Sequence, residues 1–376
     1  MGFLFTDFLQ IVVAFAVLHL ACYLTDRLQL FANALAVVKT CFLHLGLHKT
    51  ASSSFQQTCA ENRHLLHSHG LHYPIFTCHY SKPKRLKINN HSVPLRNLYD
   101  QKPQNYHINK RWKITNLKNV VADYERQLSA ALAVESSLVL SGEGLSLLSD
   151  QALSRLAQRI QSAGFVIRPI AMVRSPLDYA HSISQQLIRG GQHLELVGCG
   201  PLLLPQPMKR LTIPDGQSQL TMLQSVFGED LELVPFRRAC AHPHGPVGYL
   251  LNEYCGIANL ELFRFQNSQE SKSNGWVRIQ NLINRRWPVF DQMKQLNPDH
   301  FRLRDAFKST GKFRLTSNEI GLINDQLARS NQAMVDLLSE EFVLSDDSVS
   351  EELTLAEISQ IITDVCRLTS SSSAAS

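Results

Sequence analysis

The chain has 376 residues, with 37 Lys+Arg against 32 Asp+Glu for a formal net charge of +5, and it is 44% hydrophobic and 18% charged. A chain of this size can bury a large core without help from disulfides or metals, and it contains no internal repeat. Its eight cysteines form no C-x-x-C pair and several sit inside apolar runs, which suits reduced thiols better than a disulfide framework. Phe8 to Leu24 is an apolar stretch at the lower limit for crossing a bilayer, and it holds Gln10 and His19. No Lys or Arg precedes it, so it is a poor secretory signal. If it spans a membrane, Arg27 and Lys39 on its C-terminal side place the rest of the chain in the cytoplasm. A peripheral helix, a helix packed on the domain and a misassigned translation start are the alternatives.

The next apolar run, about 40–46, reads as a short buried strand that stops at Gly46. Lys49 then leads Thr50, Ala51, Ser52, Ser53 and Ser54 into an amphipathic helix expected from Ser52 to about His67. Strand, lysine-bearing turn and hydroxyl-rich helix start are the ingredients of an anion cradle. Free first-turn N–H groups, the positive end of the helix dipole, a mobile cation and hydroxyl donors converge on one spot. A nucleotide-triphosphate loop needs a second glycine just before its lysine, and here there is none. His64, His67, His69 and His72 lack metal-ligand order and an acidic partner, so no metal site is expected. Leu71 to Tyr73 is a candidate second strand. From Lys82 to Lys118 periodicity fails, and ten Lys/Arg face a single acid, Asp100. That excess suits an anionic partner, but aromatics are sparse there and no nucleic-acid motif is present.

A helix over Val120–Val134 precedes a short strand, Ser137 to Leu140, and then Ser141-Gly142-Glu143-Gly144. The Gly-x-Gly is not a dinucleotide fingerprint, because Leu147 and Arg159-Ile160 stand where the third glycine and the ribose-binding acid belong. A helix from about Asp150 to Ala163 follows. Val166 to Val173 reads as a buried parallel strand with Arg174 at its end, Pro176 in the first turn of a helix and Ser182 two turns in. Ligands of open α/β sheets collect at such strand ends, so Arg174 is a candidate anion ligand. Residues 190–217 read as a loop, Leu231–Phe236 as a late strand and Val247–Cys255 as a helix. From 276 onward the pattern is helical, and Leu368–Ser376 is a serine-rich tail expected to be disordered.

The order G-x-x-K-T-A-S-S-S resembles the 5′-phosphosulfate loop of sulfotransferases that use 3′-phosphoadenosine 5′-phosphosulfate (PAPS). His48 to Ser54 looks most like the His-Lys-Thr-Gly-Thr-Thr-Ser signature of bacterial carbohydrate-type members. Ala51 stands for the family's glycine, and a left-handed backbone there would cost an L-residue about 1–2 kcal/mol. Arg174 with Ser182 eight residues on, and the flavour of Pro176, Asp178 and Tyr179, resemble the family's 3′-phosphate segment. The resemblance covers roughly 39–260, including 90–95 and 106–109 on the acceptor side.

It implies an α/β fold with a P-loop-like central parallel sheet flanked by helices and a mostly helical C-terminal part. Residues 1–36 would be an apolar helix and candidate anchor. Residues 37–340 would be the catalytic domain, with a basic acceptor-side insertion at about 74–118, and 341–376 a C-terminal helix and tail. The implied activity is sulfate transfer from PAPS to a carbohydrate hydroxyl, without metal. Lys49, Thr50, Ala51, Ser52, Ser53, Ser54, Arg174 and Ser182 would hold the donor. Lys49 would also act in catalysis, with Glu143 or His48 as base, and an anionic glycan would be the acceptor. A cytoplasmic location, tethered at the inner membrane face, fits the bacterial members; a Golgi membrane is the alternative. A P-loop kinase-like enzyme and a non-catalytic PAP- or PAPS-binding membrane-associated protein remain as other readings.

Overall fold

Apolar side chains on both faces make Thr40–His44 (β1) a fully sandwiched strand: Cys41 and Leu43 enter one core cluster and Phe42 enters another. Such a strand needs neighbours on both edges and helices on both faces. In the computed structural model, residues 38–78, 86–208, 217–267, 271–289, 296–303, 311–346 and 348–373 are described. There β1 sits between Ser137–Ser141 (β5) and Val166–Val173 (β6), with Leu71–His72 (β2) and Glu232–Pro235 (β7) at the edges. All pairs in this five-stranded sheet are parallel, in the order β2-β5-β1-β6-β7. Phe76–Cys78 (β3) and Leu86–Ile88 (β4) form a separate antiparallel pair.

The strand order decides where a ligand can sit. From β1 the chain leaves toward β2 at one edge, and from β6 it leaves toward β7 at the other. The connections therefore diverge between the carboxyl ends of β1 and β6, which opens a crevice at that point.

Helices cover both faces. One core cluster joins Cys41, Leu43, Leu138 and Ala171 to Ser92–Tyr99 (α2), Leu117–Leu132 (α3), Asp150–Ser162 (α4) and Gln217–Phe227 (α6). The other joins Phe42, Val139, Ile170 and Met172 to Phe55 and Cys59 of Ser52–Glu61 (α1) and to Phe236, Leu250 and Leu251. A third cluster packs Pro176–Arg189 (α5) against Asn274–Arg286 (α7), Asn324–Leu337 (α8) and Leu355–Ser373 (α9). The α/β class is as the sequence indicates.

Several elements differ from the sequence expectation. The first helix breaks at Asn62, whose side chain bonds the carbonyls of Thr58 and Arg264, and the chain resumes as Arg63–Ser68. Residues 86–118 are not structureless: they hold β4, α2 and the short helix His107–Arg111. Polar residues do part of the burying there, which hides the apolar period. Asn109 Nδ2 donates to Asn97 Oδ1 at 2.6 Å, and both residues are buried. The expected helix at 247–255 is Gly245–Tyr249 followed by a π turn, Leu250–Tyr254. The expected disordered tail is helical through Ser373: α9 is started by a reciprocal Thr354–Glu357 cap and anchored by buried Ile358 and Ile361, and it propagates into the serines. The apolar segment 8–24 lies outside the described residues. Among the described residues no helix is long and apolar enough to cross a membrane.

The glycines of Gly142-Glu143-Gly144 have a packing reason. Gly144 N–H donates to Ser92 Oγ at 2.8 Å, and a Cβ on Gly142 would lie 2.7 Å from the Ser92 backbone nitrogen. Helix α2 thus sits directly on the turn after β5. Gly142→Ala should lower stability by about 1–3 kcal/mol, the scale of overpacking a tight contact. Urea unfolding of both proteins measures it.

Candidate functional site

Beyond its last paired residue β1 keeps zipping onto β6: Leu45 N–H bonds the Ile170 carbonyl, Met172 N–H the Gly46 carbonyl and Leu47 N–H the Met172 carbonyl. That ladder delivers Lys49 to the end of β6, where Arg174 Nη1 donates to the Lys49 carbonyl at 2.9 Å. The two residues, 125 positions apart, are thereby fixed together. Lys49 (φ 69°) and Ala51 (φ 63°, ψ 16°) are both left-handed, and these two reversals turn the strand into α1. Thr50 between them is fully buried, and its hydroxyl donates to the Leu47 carbonyl at 2.5 Å.

The start of α1 has no side-chain cap and no acidic residue in its first turn. Its first N–H groups carry the positive end of the helix dipole. Ser52 lies in that turn at 2% exposure, and its hydroxyl has no hydrogen-bond partner among the described residues. A buried hydroxyl without a partner is unusual and calls for a reason. Lys49, half-buried beside it, has its pKa pushed down to about 8, by burial first and then by the positive charge of Arg174. Two cations held close at a helix N-terminus describe an anion site. Ser53 is half-buried on the same turn and Ser54 is buried.

Arg174 serves a second space. Its guanidinium lies 4.8 Å from the Phe236 ring centroid, and it lines an open cleft together with Ser182, Gln185, Lys312 and Arg314. Ser182 therefore lines the same cleft as Arg174. Asp178, held by Ser175 Oγ at 3.0 Å, stands 3.8 Å from Arg314, which also pairs with Asp346 at 2.5 Å. His181 lines the same cleft and accepts from Leu315 N–H through Nδ1, so its proton sits on Nε2, which is buried without a partner. Burial, then Arg314 and Arg174, push the pKa of His181 down to about 4, so it stays neutral.

Glu143 opens the turn after β5. A Cβ on Gly46 would sit 2.9 Å from Glu143 Cα, so this turn touches the Lys49 loop. Glu143 Oε2 is 3.7 Å from His48 Nδ1. Burial pushes the Glu143 carboxyl up, but His48, Lys49 and His44 outweigh it and hold the carboxyl below its ordinary value. The two candidate bases are thus one interacting pair, with Glu143 ionised.

Lys49, Ser52, Glu143, His48 and Arg174 gather around one point, and Ser182 joins through the adjoining cleft. Thr50 does not present its hydroxyl, which is spent on Leu47. Ala51 contributes conformation and no side-chain donor. Lys312 and Arg314 were not legible from motifs. The signal in the chain is a period of two around buried Phe313, which places both cations on one face.

Ala51→Gly should relieve the left-handed penalty of about 1–2 kcal/mol, offset by about 0.4–1 kcal/mol of added unfolded-state entropy. A stability gain of about 0.5–1 kcal/mol is expected from chemical denaturation, with Lys49 chemistry intact. A loss would mean that the Ala51 methyl group packs usefully against the second cluster.

Searches of family models, curated proteins and solved structures found no match to this chain.

Proposed function

We propose that the chain is a PAPS-dependent sulfotransferase acting on a carbohydrate hydroxyl. One observation carries the reading: the guanidinium of Arg174 ties the lysine loop to the cleft holding Ser182, Lys312 and Arg314. Two anion sites joined through one residue fit a ligand with two separate anionic groups, such as a nucleoside 3′,5′-bisphosphate. The donor set agrees with such a ligand, since Ser52 has a free buried hydroxyl and Lys49 a burial-depressed pKa.

In this reading the first turn of α1, Lys49 and Ser52 hold the 5′ group, while Arg174, Ser182, Lys312 and Arg314 hold the 3′-phosphate. When bound, the donor supplies a sulfuryl group whose S–O bond to phosphate breaks as the acceptor oxygen bonds to sulfur. Lys49 and the fixed N–H groups stabilise the negative charge that grows on the leaving side. The Glu143–His48 pair takes the acceptor proton, because an alcohol attacks only as its proton leaves.

Calorimetry with PAP (the desulfated product), ATP and NAD in parallel tests the class; PAP binding alone is expected. An anion raises the pKa of Lys49 from about 8, so binding takes up a proton once the free lysine is neutral. PAP affinity should therefore weaken as pH rises through about 8, and Lys49→Arg, charged throughout, should flatten the profile. A wild-type affinity unchanged from pH 7 to 10 would contradict this.

Ser182→Ala should cost about 1.5–3 kcal/mol of PAP binding, the range for a hydrogen bond to a charged group, and spare adenosine 5′-phosphosulfate, which lacks the 3′-phosphate. Arg174→Ala should weaken both ligands, because it also releases the Lys49 loop.

Glu143→Gln should retain PAP binding and lose about 10²–10⁴ in turnover. With Glu143 as base, the acidic limb of the rate profile falls below the ordinary carboxyl value, the direction its surroundings impose. An only mildly impaired Glu143→Gln, with His48→Asn losing turnover instead, would move the role to His48.

A further inference from the structure

The insertion that covers Glu143 brings its own cations. Ser92 of α2 is bonded to Gly144, and one turn along the helix the stem of Arg96 lies against the same glycine: a Cβ there would be 3.2 Å from Arg96 Cδ. Arg96 Nη2 donates to Asp100 at 2.7 Å, and its guanidinium carbon lies 4.8 Å from the Tyr106 ring centroid. Its Nε is buried without a partner. The Tyr106 ring meets the His107 ring edge-on at 4.9 Å. His107 and Arg111 follow at i and i+4 of one helical turn, so they share a face, and both are exposed. His107 feels burial first, then the charges of Arg96, Arg111, Glu143 and His48, so these groups share one neighbourhood.

We propose that Arg96, His107 and Arg111 form an anion-recognising subsite beside Glu143, and that the hydroxyl acceptor is an acidic saccharide carrying a carboxylate or sulfate. The proposal rests on the sulfotransferase reading and names the substrate class of that same site. Three observations favour it. These side chains come from two helices that do not line the donor crevice; Arg96 touches the turn that bears Glu143, and His107 is joined to Arg96 through the Tyr106 ring. Asp100, the sole acid between 82 and 118, is taken by Arg96, and Arg111 meets no carboxylate among the described residues. Tyr106 is buried and lies beneath a guanidinium, so it offers no open ring on which a nucleobase could stack.

The test is an equilibrium titration of the full chain, with and without saturating PAP. The probes are a hexasaccharide of alternating glucuronate and N-acetylglucosamine and its carboxyl-reduced twin. The uronate form should bind at least about tenfold more tightly, as expected for one charge-assisted contact, and the gap should narrow at high salt. His107→Gln with Arg111→Gln, both exposed, should bring the two saccharides within about twofold while PAP affinity stays at the wild-type value. Equal affinities with PAP bound would overturn the subsite alone. So would tighter binding of an acidic tyrosine peptide that depends on the same two residues. Absence of PAP binding by the wild-type chain would instead overturn the donor reading beneath it.

Discussion

The hydrogen bond from Arg174 to the Lys49 carbonyl is the constraint on which the site depends. It ties together the two segments that leave β1 and β6, at the crevice where their outgoing connections diverge. Only arginine can make this contact and still face the cleft, since its planar fork offers several fixed donors and a face that stacks on Phe236. A lysine would reach one partner at a time. With the carbonyl of Lys49 pinned, its side chain is aimed by the backbone and not by chance, so the loop geometry is present before any ligand arrives.

Holding that geometry has a cost, and the surrounding structure bears it. Lys49 and Ala51 are two left-handed L-residues within three positions, each disfavoured by about 1–2 kcal/mol. Beneath them lies a buried polar layer. His44 Nδ1 meets Ser141 Oγ at 2.8 Å, Gln56 bonds the Ser141 carbonyl, and His91 Nδ1 accepts from Ser141 N–H. Because His91 accepts at Nδ1, its Nε2 carries the proton and donates to the Pro74 carbonyl at 2.7 Å. Burial pushes both imidazoles down to about 4, so as neutral groups they hold the strands, α1 and the segment leading into α2 together. The ends of β1 and β5 are thus locked side by side, and Glu143 is carried up against the lysine loop.

The strands at 40–44, 137–141 and 166–173 were legible because an apolar run bounded by turn residues has few other readings. Arg174 and the Lys49 loop were legible for a related reason: a cation at the end of such a run has nowhere to go but the ligand face. Ala51 was readable in an unusual way, since the position calls for a left-handed residue and the structure takes that conformation without glycine. The structured segment from 86 to 111 was not legible. Its helices bury Asn97, Asn109, Ser92 and His91, and hydropathy scores these residues as surface. Nor was the second half of the Arg174 cleft, because Lys312 and Arg314 reach Arg174 only through the third core cluster, more than a hundred residues downstream.

That third cluster contains an ion pair whose purpose follows from the cleft. Arg278 and Glu319 are each 1% exposed and meet at 2.6 Å, with Arg278 also bonding Asn274 and the carbonyls of Gly198 and Arg314. A buried pair of this kind is weak as a source of stability, because desolvation offsets most of its attraction. Its value is directional. Glu319 closes the capping box on Thr316, and Arg278 grips the carbonyl of Arg314, so both ends of the 314–316 segment are set from below. The Arg314 side chain is then set from the cleft side by Asp178 and Asp346. Lys312 and Arg314 repel Arg174 across the cleft, and a segment held only by apolar contacts would swing away from that repulsion. Fixing it through a buried charge pair keeps the cations converged, the condition for binding an anion without first reorganising the site.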